Sequence, residues 1–319
     1  MEDDNRKLYP MLMLPVDPKR SGDERYTLAD LGAVDTMVDN GWLGGNPMGE
    51  IMETYLDRVS GENPFEFYGT QFPVMVKTIR TAETTPVRVN VGDEEAQQRY
   101  DSFGKTALWY IGSAAPGAKV YMGFREDVSA AELYQRCLMG DVLSLLNEIE
   151  PAEGDAFLIP PGTAYAAGPG LDIIEISEAS ELSLRLSGED SRQEMEEVFD
   201  LVDMKAWDPS NHIHSTDVAR PAGDLAAVPQ FHAARIVLDE ALHIFSRDCF
   251  SVYHCVKGKV SVQVPEGDAM KGYELPAGRS MLVPDDVDEF YLVPSEKGSI
   301  LLEAYMDHRS ETDTYLSKQ

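Results

Sequence analysis

The chain is written in short β-rich runs cut by Gly, Pro and Asp, and that alternation fixes most of what it can become. From residue 72 onward come FPVMVKTI, TPVRVNVG, ALWYIGSA and AKVYMGF, then DAFLIPPG, DIIEIS and ELSLRL. Runs of four to eight residues punctuated by turns specify sandwiches or barrels rather than parallel sheets. The layout then repeats. FSVYHCVKGKVSVQV, YELPAGRSMLVP and EFYLVP occupy the last 90 residues, and the Gly154–Pro160 spacing recurs as Gly278–Pro284. Asp286 stands where the first copy has Gly162. The expected fold is mainly β with helical insertions, as two β-barrels.

Helix signals are fewer. Asn46-Pro47 ahead of MGEIMETYLDRV reads as a cap and a first-turn proline. Ser129 with Glu132, and Ser191 with Glu194, form capping boxes before AAELYQRCL and EMEEVFDLV, while VLSLLNEI reads as a further helix. The expected organisation is an N-terminal barrel over 1–206 with a helical insertion at about 128–150. A polar linker over 207–229 and a C-terminal barrel over 230–319 follow.

With 319 residues, 43% of them hydrophobic, the chain can bury a large core. Its formal charge of −29 repels nucleic acid and anionic lipid, so neither is an expected partner. An anionic small molecule is admissible only where cations cluster. No apolar run reaches the roughly 18 residues of a membrane span, and the first residues lack the apolar core of a signal peptide. Cys137, Cys249 and Cys255 have no zinc spacing and read as idle thiols. A cytoplasmic protein, monomeric or weakly homo-oligomeric, is expected.

GDAFLIPPGTAYAAG carries the cupin pattern of Gly, five residues, Pro-x-Gly, two residues and a metal-binding His, except that Tyr165 stands at the histidine position. All six histidines lie at or beyond residue 212. FPVMVKTIRTAETTPVRVNVGDEEAQQRYDSFGKTALWYI with PPGTAYAAGPGLDIIEISEASELSLRL resembles the type I mannose-6-phosphate isomerases, especially the short bacterial form. The similarity runs from about Leu31 to about Ala304, strongest between residues 72 and 186. It implies two cupin-like (jelly-roll) barrels and a sugar-phosphate ligand.

That family holds zinc with a Gln-x-His pair, a Glu after Gly-Lys-Thr and the His of the Pro-x-Gly turn. The matching positions here are Arg88, Asn90, Ala107 and Tyr165. A guanidinium about 4 Å from a divalent ion is repelled by roughly 8 kcal/mol at an effective dielectric near 20. The expectation is therefore that the chain has no metal site and no cofactor. The resemblance places a substrate-contacting lysine at Lys77, a lysine beside the lost Glu ligand at Lys105, an acidic residue at Glu175 and a catalytic arginine at Arg185. Arg88, Asn90 and Tyr165 become expected substrate contacts. SEAS replaces a common Gln-Gln-Asn-Ser run between Glu175 and Arg185.

Other candidates read more blandly. His212-Ile-His214 falls in the expected linker without a third ligand at cupin spacing, and reads as a solvated loop. His254 and Cys255 are adjacent on a strand and face opposite ways. LWYI (108–111) reads as barrel core. Three functions fit: a sugar-phosphate binder without catalysis or with strongly altered catalysis, an aldose–ketose isomerase using the charge of Arg88 in place of zinc, and a scaffold with a vestigial pocket.

Overall fold

A computed structural model describes residues 6–17, 24–187 and 191–306. The chain forms two compact units. The first is built from Arg25–Lys77, the chain from Val218 onward and the N-terminal strand Met11–Leu14. The second is built from Thr78–Asp217. The crossing from one to the other falls inside the strand Val74–Arg80.

In the first unit a seven-stranded antiparallel sheet runs in the order Ala222–Val228, Phe231–Leu238, Ser299–Tyr305, Ser251–Lys257, Ser280–Val283, Met11–Leu14, Met37–Val38. A four-stranded sheet (Leu242–Phe245, Glu289–Pro294, Lys259–Glu266, Ala269–Pro276) accompanies it. Tyr253, Cys255, Val260, Val262, Met281, Phe290 and Leu301 form its core. The expected C-terminal barrel began at residue 230, whereas this unit also takes most of the first 77 residues. The reason is long-range pairing, with Met11 opposite Leu282 and Leu12 opposite Met281, which leaves no local signal in the sequence.

The second unit has a five-stranded antiparallel sheet in the order Ser183–Arg185, Arg88–Asn90, Ala164–Ala167, Val120–Phe124, Leu146–Ile149. Opposite it run His212–Ile213, Ala156–Ile159, Ala107–Ala114 and Leu171–Glu178. Trp109, Ile111, Val120, Met122, Phe157, Ile159 and Tyr165 fill the interior. On the outer face of the five-stranded sheet, Val87, Val89, Val91 and Leu184 pack with Leu133 and Val198 of the helices Ala130–Met139 and Ser191–Leu201. The kept turn has a steric basis. Gly162 sits at φ +82°, and a Cβ there would meet the Leu201 carbonyl oxygen at 3.0 Å.

Several local expectations are corrected. VLSLLNEI is a 3-10 turn (Val142–Leu145) and then a strand, Leu146–Ile149. The sheet edge captures it, and the Asn147 amide donates to the carbonyls of Met122 and Phe124 at 2.9 and 3.1 Å, beside a register shift. The supposed linker holds the strands His212–Ile213 and Ala222–Val228. Two residues are too few to show periodicity, and AGDLAAV is too small-sided to read as a strand. Pro47 is the N-cap of Met48–Tyr55 rather than its first residue, and Asp35 Oδ1 accepts the Met48 N–H at 2.8 Å. Ser129 does cap Ala130–Met139, its Oγ accepting from the Glu132 N–H at 3.2 Å. The side chains of Ser191 and Glu194 lie outside the described residues.

Burial pushes the Cys137 thiol up to about 11, and those of Cys249 and Cys255 up to about 12. None is a thiolate at neutral pH. Cys255 faces the first unit's core, whereas His254 Nδ1 lies 3.0 Å from Ser280 Oγ on the other face. Burial holds His254 down to about 4 from an ordinary 6.5. Unfolding lets it protonate, so its contribution is intact above pH 6.5 and lost as pH falls through 6.5 toward 4. At 1.36 kcal/mol per unit this amounts to about 3 kcal/mol. Urea unfolding at pH 7 and pH 4.5 should show the native protein losing more stability than His254→Asn. An equal loss refutes it.

Candidate functional site

Strand alternation sorts the residues of the second unit. Val87, Val89 and Val91 belong to the outer cluster, so Arg88 and Asn90 turn the other way, into the barrel. Register then delivers their neighbours. Arg88 stands opposite Tyr165 on one side and Arg185 on the other, and Asn90 stands opposite Ser183. In the facing sheet Trp109 is opposite Glu175 and Ala107 is opposite Ser177. Six of the seven expected contact residues (Arg88, Asn90, Lys105, Tyr165, Glu175 and Arg185) thus belong to this one barrel. Lys77 is described with the first unit, where it is 3% exposed and its ammonium lies 5.5 Å from the Tyr26 ring.

Two polar groupings result. Lys105 Nζ lies 2.9 Å from Glu175 Oε1 and 3.2 Å from Glu181 Oε2. Glu175 Oε2 accepts the Trp109 indole N–H at 2.7 Å. The Lys105 and Glu175 side chains are 2% and 3% exposed, so this is a buried ion pair. Next to it, the Tyr165 hydroxyl donates to Asn90 Oδ1 at 2.7 Å, and the Tyr165 ring meets Trp109 edge-on at 5.2 Å. Asn90 is fully buried, yet its Nδ2 has no partner among the described residues. Arg88 Nη1 donates to Ser183 Oγ at 3.1 Å, and no carboxylate among the described residues pairs with Arg88. Arg88 and Arg185, both half-buried, are directly cross-strand, which brings two guanidinium-bearing side chains to one patch.

Sequence reasoning missed Glu181, Ser183, Trp109 and Glu178. The first two lie at the edge of the divergent SEAS segment, whose departure was the only signal. Trp109 was read as core, and it is also a donor to Glu175. Glu178 accepts the Thr106 N–H at 2.7 Å and anchors the segment that carries Lys105. Burial, with the nearby charge of Asp93, raises its pKa well above the usual carboxylate range.

The residues at the four zinc-ligand positions do not fit zinc. Ala107 has no donor, Arg88 is a cation, and the Tyr165 phenol and Asn90 carbonyl oxygen are bonded to each other. A different group does have ligand character. Asp155, His212 and His214 place one ligating atom each within 4.8 Å of one another. Asp155 accepts the Ser215 and Ala152 N–H groups at 2.8 and 3.0 Å, and His212 Nε2 is 3.1 Å from its Oδ2. Burial pulls Asp155 up, but these partners outweigh it and hold the carboxyl below its usual value. Burial lowers His212, Asp155 opposes that and His214 adds to it, so the ring is neutral at pH 7.

No family model matches the chain. It is 30% identical over 151 residues to a mannose-6-phosphate isomerase from Streptococcus mutans, covering 47% of this chain and 46% of that protein. A Bacillus subtilis mannose-6-phosphate isomerase is 26% identical over 170 residues, 53% of this chain and 52% of its own. The chain spans about half the length of the curated relatives it matches. Over 94% of this chain, the crystal structure of mannose 6-phosphate isomerase from Bacillus subtilis superposes with a TM-score of 0.78 at 18% identity, all of that chain being covered. A zinc-bound mannose 6-phosphate isomerase superposes over 94% of this chain and 100% of its own, with a TM-score of 0.72 at 12% identity. These likenesses bear out the expected fold class. They also overturn the expectation of a chain without metal: a solved structure of this fold holds zinc, and Asp155, His212 and His214 form a group able to bind a metal ion. His212-Ile-His214 is also not simply a solvated loop: His212–Ile213 is a strand paired to Ala156–Ile159, and Asp155, 57 residues earlier, stands beside it as a third candidate ligand.

Proposed function

We propose, from the premise that this chain belongs to the mannose-6-phosphate isomerase family and shares its cupin-type barrels, that the barrel of Thr78–Asp217 binds a sugar phosphate and that isomerase turnover is lost or strongly reduced. The observation that carries this reading is the Arg88–Arg185 cross-strand pair on the barrel's inner face. In a protein of charge −29, two arginines in register favour an anion where the overall field opposes one. Planar guanidinium groups suit phosphate oxygens. Among the described residues the Asn90 Nδ2 donor has no acceptor, and a sugar oxygen would supply one.

Aldose–ketose isomerisation moves a proton between C1 and C2 through an enediol, whose developing oxyanion needs a fixed positive charge. The four ligand positions do not assemble a metal there, and Glu175 is engaged by both Lys105 and Trp109. A pairing of Arg88 with Glu175 would have favoured the scaffold reading, and Glu175 pairs with Lys105 instead.

Calorimetry with mannose 6-phosphate and mannose, beside a coupled isomerase assay, tests the proposal. The phosphorylated sugar should bind at least ten-fold more tightly, with no turnover above background. Turnover abolished by Arg88→Ala would restore the isomerase reading with the guanidinium as the charge. No binding of either sugar would leave the scaffold.

A further inference from the structure

The edge of the second unit's sheet carries a two-histidine, one-carboxylate constellation away from the four family ligand positions, and its geometry follows from strand register. His212 pairs with Phe157 and Ile213 with Ala156, so His214 stands opposite Asp155. Residues two apart on a strand share a face, which puts His212, His214, Asp155 and Phe157 on the same side of the pair. His212 stacks on Phe157 with ring centroids 4.3 Å apart and planes 18° apart, which fixes its ring. The His214 ring centroid is 3.9 Å from that of His212.

We infer that Asp155, His212 and His214 bind a zinc-class divalent transition metal, which staples the connection after residue 208 to the strand Ala156–Ile159. Three features support it. The donor set, two imidazoles and a carboxylate, matches three-ligand zinc sites that leave a position for water. The carboxylate is pre-oriented by the Ser215 and Ala152 amides, and the His212 ring by Phe157, so ligands are held before metal arrives. The ligating atoms lie within 4.8 Å of each other, and coordination at about 2.0–2.2 Å requires a contraction of roughly 1 Å. His214, which is exposed, makes that movement without disturbing the core. Magnesium is disfavoured because it prefers all-oxygen octahedral sites.

The test uses tag-free full-length protein stripped of metal, titrated with Zn²⁺ in a calorimeter and followed by thermal unfolding. One equivalent should bind with micromolar or better affinity and raise the unfolding midpoint, while Mg²⁺ at the same concentration does neither. His214→Ala, which removes only an exposed ring, should unfold like the native protein without metal. It should also bind Zn²⁺ at least 100-fold more weakly and lose the thermal shift, as should His212→Ala. Absence of binding tighter than millimolar overturns the inference. So does one-equivalent binding that survives both variants, since the metal would then sit elsewhere. Because mannose 6-phosphate binding is measured separately, failure here leaves the sugar-phosphate reading standing.

Discussion

Arg88→Ala is expected to weaken mannose 6-phosphate binding by roughly 10- to 100-fold while leaving the affinity for mannose unchanged. The size follows from one lost charge-assisted interaction of about 1.5–3 kcal/mol, at 1.4 kcal/mol per ten-fold. Arg88→Lys keeps the charge and loses the planar fork, so it should fall between. Arg185→Ala should cost a similar factor, because Arg185 lies directly across the strand from Arg88. The double variant should lose less than the product of the two, since both act on one phosphate. The measurement is titration calorimetry at fixed ionic strength. Equal losses for mannose and its phosphate would show that the arginines hold the sugar ring or the barrel itself, and the assignment of the phosphate to them would fall.

The second large effect concerns stability. Lys105→Met should destabilise the protein by about 3–5 kcal/mol, because it strands the Glu175 carboxylate in the barrel wall at 3% exposure. Adding Glu175→Gln removes the stranded charge and keeps an oxygen for the Trp109 N–H, so the double variant should recover at least half of the loss. Glu181 retains its charge in both variants, but at 37% exposure water solvates it. Urea midpoints for the native, single and double proteins decide the matter. A double variant as unstable as Lys105→Met would mean that the lysine's packing, rather than the pairing of charge, is what matters.

The barrels were legible because they rest on local chemistry. Gly154 and Gly162 take positive-φ turns at the spacing of the Gly and Pro-x-Gly pattern, and TPVRVNVG, read as a β-rich run, holds the strand Arg88–Asn90. What escaped was non-local. Met11–Leu14 completes a sheet through partners some 270 positions away, and no pattern in MLML announces that. His212 and His214 were visible as a pair, yet Asp155 became their partner only through a two-residue strand too short to detect. Trp109 shows a third kind of miss. Its burial at 4% was readable, but its hydrogen bond depends on the register with Glu175, which sequence alone leaves open. The helix Asp93–Tyr100 was also passed over, although Asp93, Glu94 and Glu95 in its first turn favour that end of a helix.

Trp109 has one more consequence. The chain has three tryptophans, and Trp42 is 36% exposed while Trp109 is 4% exposed, edge-on to Tyr165 and tethered to Glu175. Light absorbed by indole but not by phenol therefore excites a chromophore built into the barrel wall, and a water-borne quencher silences Trp42 well before it reaches Trp109. With Trp42 and Trp207 changed to phenylalanine, the protein becomes its own fluorimetric gauge of whatever enters beside Tyr165, with no label attached.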